Sequence, residues 1–318
     1  MASNLCLEPV KEGEKRPTVS VVIPTYNRAY WVQSAVDSVL RQDIDDIEII
    51  VADDCSRDET ENVISSIREP RLRYSRNTAS LGVPGNVNEG IRQSRGRYIF
   101  ILHDSDMAKP NMLREMLALL RENASVIFVH TGLEYIDDDG NIIVSHVGDY
   151  PRICRGKTWL KRTLGQLSSN VCAMTMAARN VYEQYGLFDA KFGFFADVEW
   201  SIRMCLQGDV GYIPFALLQM RPREKDHPYQ EIQWEQFEYL IQMREPYFSA
   251  LPGSWERWST RMKFWWEVES SLTKTILSCL KRGKFEKLRE GRSILEKYGF
   301  LLPRFYSYFM NLLPGRHR

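Results

Sequence analysis

The sequence predicts an α/β domain built on a doubly wound, mostly parallel sheet, followed by a helical extension. Three observations predict it. Short β-branched runs alternate with segments of helical periodicity over the first hundred residues. Acidic and polar clusters fall at the carboxyl ends of those runs. The alternation stops near Glu224, where an aromatic and basic stretch takes over. Strand and helix in alternation is the pattern of a sheet with helices on its faces, and the ligands of such sheets gather at the carboxyl ends of the strands.

The first run, 18–24 (T-V-S-V-V-I-P), reads as a buried strand of the parallel-sheet kind, ended by proline. Within 31–40, Val32, Ala35, Val36, Val39 and Leu40 recur at helical spacing. A second buried strand, 47–52, runs into Asp53 and Asp54. Residues 60–67 read as a helix, 72–74 as a short strand, 87–93 as a helix, and 98–102 as a strand ending in His103-Asp104-Ser105-Asp106. The next helix, 110–121, has proline near its start, where the missing N–H costs nothing. A strand at 126–129 and another at 142–145 flank the turn Asp137-Asp138-Asp139-Gly140-Asn141, so this half is partly antiparallel. Helices at 159–165, 180–185 and 198–207 follow. Gly208 ends the last of these, and a short strand at 210–213 closes the domain.

Composition limits what such a chain can do. Its 318 residues suit one large domain or two smaller ones, and 44% hydrophobic content supplies a core. The net charge of +1 gives no overall bias toward nucleic acid, but it is unevenly spread. Residues 251–318 hold fourteen Lys and Arg against six Asp and Glu, +8 in all, which leaves −7 for the rest. The six cysteines, Cys6, Cys55, Cys154, Cys172, Cys205 and Cys279, form no C-x-x-C pair, which argues against a zinc site or a disulfide scaffold and for a reduced, cytosolic setting. The first seventeen residues lack the apolar core of a signal peptide, and no run approaches the length of a membrane-spanning helix. The expectation is a soluble protein, or one held peripherally at the inner face of the cell membrane.

The polar clusters carry the chemistry. Asp104 and Asp106, one residue apart just past a buried strand, can reach the same hard cation. Mg²⁺ or Mn²⁺ is usually held by one or two carboxylates plus substrate phosphates, and it neutralises a departing diphosphate. The bland alternative is an acidic turn, or a cap for the helix after Pro110. Asp53 and Asp54 can accept from a nucleobase N–H or a ribose hydroxyl, and they also suit helix capping. In Thr25-Tyr26-Asn27-Arg28, Tyr26 offers a face for a base and Arg28 can meet a phosphate. Asp197, Glu199 and Trp200 lie in F-G-F-F-A-D-V-E-W. A carboxylate there can take a proton from a sugar hydroxyl, and an aromatic face can stack on a sugar ring. The same acidic residues would also favour the dipole of the helix they begin. His227 is a metal ligand or a solvated loop histidine.

In their order these clusters resemble the family 2 glycosyltransferases, which have the GT-A fold. V-S-V-V-I-P-T-Y-N-R looks like that family's opening strand and nucleotide loop. I-I-V-A-D-D-C-S-R-D-E-T resembles its second strand and D-D-G-S-x-D signature. Arg76-Asn77, Gly82 and Asn88-x-Gly90 fit the segment before the metal motif, and G-R-Y-I-F-I-L-H-D-S-D-M fits the strand that leads into it. Arg179, G-L-F-D at 186–189 and A-D-V-E-W-S-I-R at 196–203 resemble the acceptor-side motif. The resemblance spans about residues 17–214. It implies a mixed, Rossmann-like sheet flanked by helices, with a nucleotide-sugar half (17–110) and an acceptor half (111–223) between a polar tail (1–16) and a helical extension (224–318).

It also implies roles. Pro24, Thr25, Tyr26, Arg28, Asp53, Asp54, Asn88 and Asp104 would bind the nucleotide of a UDP- or dTDP-sugar. Asp106 with Asp104, and His227 as a further candidate, would hold Mn²⁺ or Mg²⁺ on its diphosphate. Asp197 would be the base that deprotonates an acceptor hydroxyl for inverting attack, with Glu199 and Trp200 beside the acceptor, a glycan or lipid-linked sugar of bacterial surface polysaccharide or glycolipid assembly. The sequence departs from the family pattern at three places. Cys55 stands where glycine is usual, Ala196 stands where glutamate is usual, and L-H-D-S-D-M replaces L-D-x-D-D, which fixes Asp106 and leaves the register of Asp104 open by one position.

Between 255 and 280, Trp258, Phe264, Trp265, Trp266, Val268, Leu272, Ile276 and Leu280 include several at helical spacing, and Lys281-Arg282-Gly283-Lys284 follows. This reads as an interfacial helix for a membrane surface, as an extension packed on the catalytic domain, or as a homodimer contact. Two other functions compete with the transferase. One is a non-catalytic nucleotide-sugar- or glycan-binding protein on the same fold, hinted at by Ala196 and Cys55. The other is a dinucleotide-dependent oxidoreductase, which the sequence argues against because proline and Tyr26 stand where a G-x-G-x-x-G turn would be.

Overall fold

Strand β1 (Val19–Thr25) is the centre of the parallel half of the sheet, and its apolar side chains Val19, Val21, Val22 and Ile23 are fully buried. It pairs in parallel with β2 (Ile47–Asp53) on one side and β4 (Tyr98–Ile101) on the other, and β2 pairs in parallel with β3 (Leu72–Arg76). Strands covered on both faces cannot alternate polar with apolar residues, which is why β1 and β2 read as unbroken β-branched runs. Parallel neighbours need a crossover between them. Helices α1 (Ala29–Leu40), α2 (Thr60–Ser66) and α3 (Gly82–Gln93) make these crossovers. In the computed structural model, residue 7 and residues 16–167, 174–222 and 234–298 are described.

Beyond β4 the sheet becomes mixed. The elements are β5 (Met107–Ala108), α4 (Met112–Glu122), β6 (Val126–Ile136), β7 (Ile142–His146), β8 (Ile153–Cys154), α5 (Gly156–Leu164), β9 (Met176–Ala178), α6 (Arg179–Tyr185), α7 (Ala196–Met204) and β10 (Asp209–Met220). The strand order is β3-β2-β1-β4-β9-β6-β10-β5, with β7 on β6 and β8 on β10. β9 lies antiparallel between β4 and β6 and so joins the two halves of the sheet. Helix α4 turns Met112, Leu113, Met116, Leu117, Leu119 and Leu120 inward. They join a core shared with Val21, Val36, Ile49, Phe100, Val129 and Ile213.

The hairpin anticipated around Asp137–Asn141 forms between β6 and β7. The closing strand is longer than the sequence suggests. The sequence pattern ends at Ile213, before Pro214, whereas β10 runs to Met220. Register shifts against β6 between Ile213 and Ala216 and between Ala216 and Leu218 mark bulges, the places where a strand tolerates proline. That added length carries the chain back to the edge where the acidic pair lies.

The chain forms two compact units, Met1–Trp159 with Asn170–Pro222, and Leu160–Ser169 with Arg223–Arg318. The second contains α8 (Trp234–Gln242), α9 (Ser254–Lys281), α10 (Phe285–Glu290) and α11 (Arg292–Tyr298). Its core takes Phe264, Val268, Leu272, Ile276 and Cys279 from α9. Arg244 is fully buried there and donates to the carbonyls of Thr163, Leu167 and Leu240. Burial lowers its pKa to about 9. Among the described residues, no helix is long and apolar enough to cross a membrane.

Candidate functional site

The loops after β1, β2 and β4 meet at the carboxyl edge of the sheet and are bonded to one another. The Asp54 N–H donates to the Thr25 carbonyl at 2.9 Å. The Asn27 N–H donates to Ser56 Oγ at 2.8 Å, the Arg57 N–H to Asn27 Oδ1 at 2.7 Å, and the Ala29 N–H to Asp58 Oδ2 at 3.0 Å. On the other side, Asp104 faces the Thr25 hydroxyl, the Tyr26 backbone N–H and the Arg28 guanidinium. Tyr26 is exposed, so its ring is open to a ligand.

The second acidic residue of the pair is held more tightly. Asp106 is 2% exposed, and its Oδ1 accepts the Arg221 N–H at 3.2 Å. His103 Nδ1 lies 3.7 Å from Asp106 Oδ2. Burial pushes the Asp104 carboxyl up to about 6 and the Asp106 carboxyl up to about 7, where the charge of Asp104 adds to the effect. A half-buried Asp104 and a buried Asp106, both with disfavoured charged forms at the mouth of a sheet, form a donor set that a cation would relieve. Among the described residues, no group of three or more Asp, Glu, His or Cys could hold a metal ion. A hard divalent ion held by these two carboxylates would take its remaining ligands from water and substrate phosphates.

Arg221 was not singled out from the sequence. It follows β10, donates from Nη1 to the Ser105 carbonyl at 2.8 Å and stacks its guanidinium 4.2 Å from the centroid of the Trp31 ring. With its N–H on Asp106, it straps the loop between Asp104 and Asp106 to the end of β10. The signal for it was the full length of that strand, which Pro214 obscured.

Asp53 and Asp54 are both used internally. Asp53 is fully buried. It accepts from the Ser56 N–H and Ser56 Oγ at 3.0 and 2.5 Å and from the Tyr74 hydroxyl at 2.6 Å, with Arg76 Nε at 3.7 Å. Asp54 accepts from Asn77, from Ser80 Oγ, and from the N–H groups of Leu81 and Gly82 at 2.7 and 3.0 Å. It therefore caps the start of α3 across space. Pro24 lies inside β1, paired with Ala52 of β2.

Three of the assigned residues are engaged within the fold. The Asn88 amide donates to the Phe188 carbonyl at 2.9 Å and accepts the Phe188 N–H at 3.0 Å. Trp200 does not present a face to an acceptor, because it is 1% exposed, stacked on Tyr182 and packed against Phe128 and Phe188. Glu199 is buried and engaged by Arg203, whose Nη2 also donates to the Leu187 carbonyl at 2.8 Å. In each case the helix turns the residue inward. Asp197, by contrast, is half-buried in the first turn of α7, where the helix dipole favours a carboxylate. The turn before it, Ala190–Phe195, packs on α3. Arg179 pairs with Glu183 and binds the Ser94 carbonyl, so it is structural. His227 lies outside the described residues.

A model of glycosyl transferase family 2 matches residues 20–186, more than half of the chain. The chain belongs to glycosyl transferase family 2. Among curated family relatives, the GalNAc(5)-diNAcBac-PP-undecaprenol beta-1,3-glucosyltransferase of Campylobacter jejuni is 34% identical over 130 residues, 40% of this chain and 41% of that protein. The succinoglycan biosynthesis protein ExoO of Rhizobium meliloti is 36% identical over 104 residues, 33% of this chain and 30% of that protein. The chain thus matches less than half the length of either. A crystal structure of S. aureus TarS superposes with a TM-score of 0.65 at 16% identity, covering 88% of this chain and 81% of that one. A complex of TarS with UDP-GlcNAc gives 0.61 at 14% identity. At such identities the likeness shows the fold, the mixed GT-A sheet flanked by helices.

Proposed function

We propose that this chain transfers a sugar from a nucleoside-diphosphate sugar, a UDP- or dTDP-sugar, to an acceptor hydroxyl with inversion at the anomeric carbon. The acceptor we assign to it is a glycan or lipid-linked sugar of bacterial surface polysaccharide or glycolipid assembly; the Campylobacter jejuni relative is named for a PP-undecaprenol-linked acceptor and the Rhizobium meliloti relative for succinoglycan biosynthesis. The observation that carries the reading is the acidic pair Asp104–Asp106, the first half-buried and the second buried, at the carboxyl end of β4 in a family 2 domain, with Tyr26 and Arg28 beside it.

Each residue has a task in this reading. The exposed Tyr26 ring stacks on the base, and Arg28 meets a phosphate. Asp53 and Asp54 act through the loops they fasten, which shape the floor under the nucleotide. Asp106 and Asp104 would hold Mn²⁺ or Mg²⁺, which when bound supplies positive charge to the leaving diphosphate. Asp197 takes the proton of the acceptor hydroxyl. The freed oxygen attacks the anomeric carbon, the bond from that carbon to the diphosphate breaks, and its electron pair leaves on the β-phosphate oxygen. Arg221, through the Ser105 carbonyl and its N–H on Asp106, keeps the pair aimed at the donor.

The test is donor turnover with a panel of UDP-, dTDP- and GDP-sugars in Mn²⁺, Mg²⁺ or EDTA, for wild type, Asp106→Asn and Asp197→Asn. The expected result is metal-dependent use of one donor class, reduced at least 100-fold in either variant, the scale on which losing a catalytic acid–base group acts. A folded protein that binds no nucleotide sugar would move the weight to a glycan-binding role.

A further inference from the structure

A surface helix of a soluble unit needs one apolar face, the one that packs inward. Helix α9 has two. Its inward face carries Phe264, Val268, Leu272, Ile276 and Cys279, all buried. On its outer side Trp255, Trp258, Met262 and Trp266 follow one another at steps of three and four and are 70, 55, 52 and 74% exposed. Leu277 and Leu280, both exposed, continue the same row, because eleven residues is close to three full turns. Trp255 and Trp258 stack with ring centroids 4.9 Å apart. The helix has 28 residues, about 40 Å, and the row is spread along most of it.

The polar border of this row is basic. Lys263, Lys274 and Lys281 share one line along the helix about a quarter-turn away from the aromatic row. They and Arg282 are exposed and make no ion pair among the described residues. Of the acidic residues of the same helix, Glu269 lies within the row between Trp266 and Leu277 and is half-buried, Glu267 lies beside the lysine line and is half-buried, and Glu256 lies on that line and is engaged by Lys161. The outer face of α9 is therefore mostly apolar and rich in indole rings, and its most exposed charges are the three lysines and Arg282.

We propose that the outer face of α9 lies on the surface of an anionic lipid bilayer. Indole rings favour the boundary between acyl chains and headgroups, apolar side chains such as Met262 and Leu277 enter below it, and lysines beside the row meet lipid phosphates. A row of exposed side chains along one helix suits a flat, deformable partner. The lysine line supplies the charge complementarity that a neutral glycan would not use. This inference is independent of the transferase reading, although a lipid-linked acceptor would be presented at such a surface.

Sedimentation of the full chain with vesicles tests it. One set is phosphatidylcholine alone, the other phosphatidylcholine mixed with phosphatidylglycerol, which gives the surface a negative potential. We expect binding to the anionic set, a blue shift of tryptophan emission, and at least tenfold weaker binding for Trp255→Ala/Trp258→Ala/Trp266→Ala and for Lys263→Glu/Lys274→Glu/Lys281→Glu. Circular dichroism melts matching wild type show that these surface variants fold. Four outcomes overturn the proposal: no binding to either set; binding that the variants leave unchanged; no vesicle binding but a concentration-dependent dimer that the tryptophan variant abolishes; or a soluble glycan bound through the same tryptophans in place of vesicles.

Discussion

Cys55 has a backbone φ of +66°, in the left-handed region that costs a side-chain-bearing residue about 1–2 kcal/mol. It sits in the loop fastened by Asp53, and the loop keeps that conformation with cysteine in place of glycine. Cys55→Gly should raise stability by about 1 kcal/mol once the greater freedom of glycine in the unfolded chain is subtracted, and a shift in the urea midpoint at constant slope checks it. At this scale the sequence showed which residues cluster at the sheet edge and did not show which way they point. Asp104 and Asp106 could be placed because a strand end fixes them. Glu199 and Trp200 could not, because helix α7 puts one on Arg203 and the other in the core, and only three-dimensional packing decides which of its faces is which. Arg221 could not be seen at all, since it reaches Asp106 across 115 positions of sequence.

Helix α3 shows how one element ties the site together. Asp54 caps its start, Asn86 donates to the Ala52 carbonyl at 2.8 Å, and Asn88 binds both backbone groups of Phe188. A Cβ on Gly90 would come within 2.4 Å of Val22 Cγ1, so the helix lies against β1 at a distance only glycine allows. Asn88→Ala leaves a buried carbonyl and N–H without partners and should cost about 2–3 kcal/mol, read by denaturant unfolding. Because Phe188 leads into the turn before Asp197, turnover should fall with donor binding unchanged. The sequence indicated only the second half of this helix. Its first turn, Gly82-Val83-Pro84-Gly85, carries two glycines and a proline, which read as a loop. The cap from Asp54, 28 residues earlier, makes it helical.

For the whole molecule, the alternating first half was legible because strands buried on both faces leave unbroken apolar runs. The second half was less so. β9 has three residues, too few to carry a period, yet it joins the halves of the sheet. The core also sets a pH response. His130 is buried among Tyr150, Trp159 and Tyr212, and burial lowers its pKa to about 3. The unfolded chain takes up a proton near pH 6.5 that the folded chain refuses. The contribution of His130 is therefore complete above pH 6.5 and lost as pH falls toward 3, at about 1.4 kcal/mol per pH unit. Between pH 7 and 5, wild type should lose about 2 kcal/mol more than His130→Phe in paired urea titrations.

The central claim is that Asp104 and Asp106 receive a nucleoside diphosphate through a divalent ion, and calorimetric titration of UDP into the protein tests it most directly. In Mn²⁺, wild type should bind, while EDTA or Asp106→Asn should weaken binding at least tenfold, with Asp197→Asn binding like wild type. Equal affinity for UDP in Mn²⁺, in EDTA and in the folded Asp106→Asn variant would contradict the account.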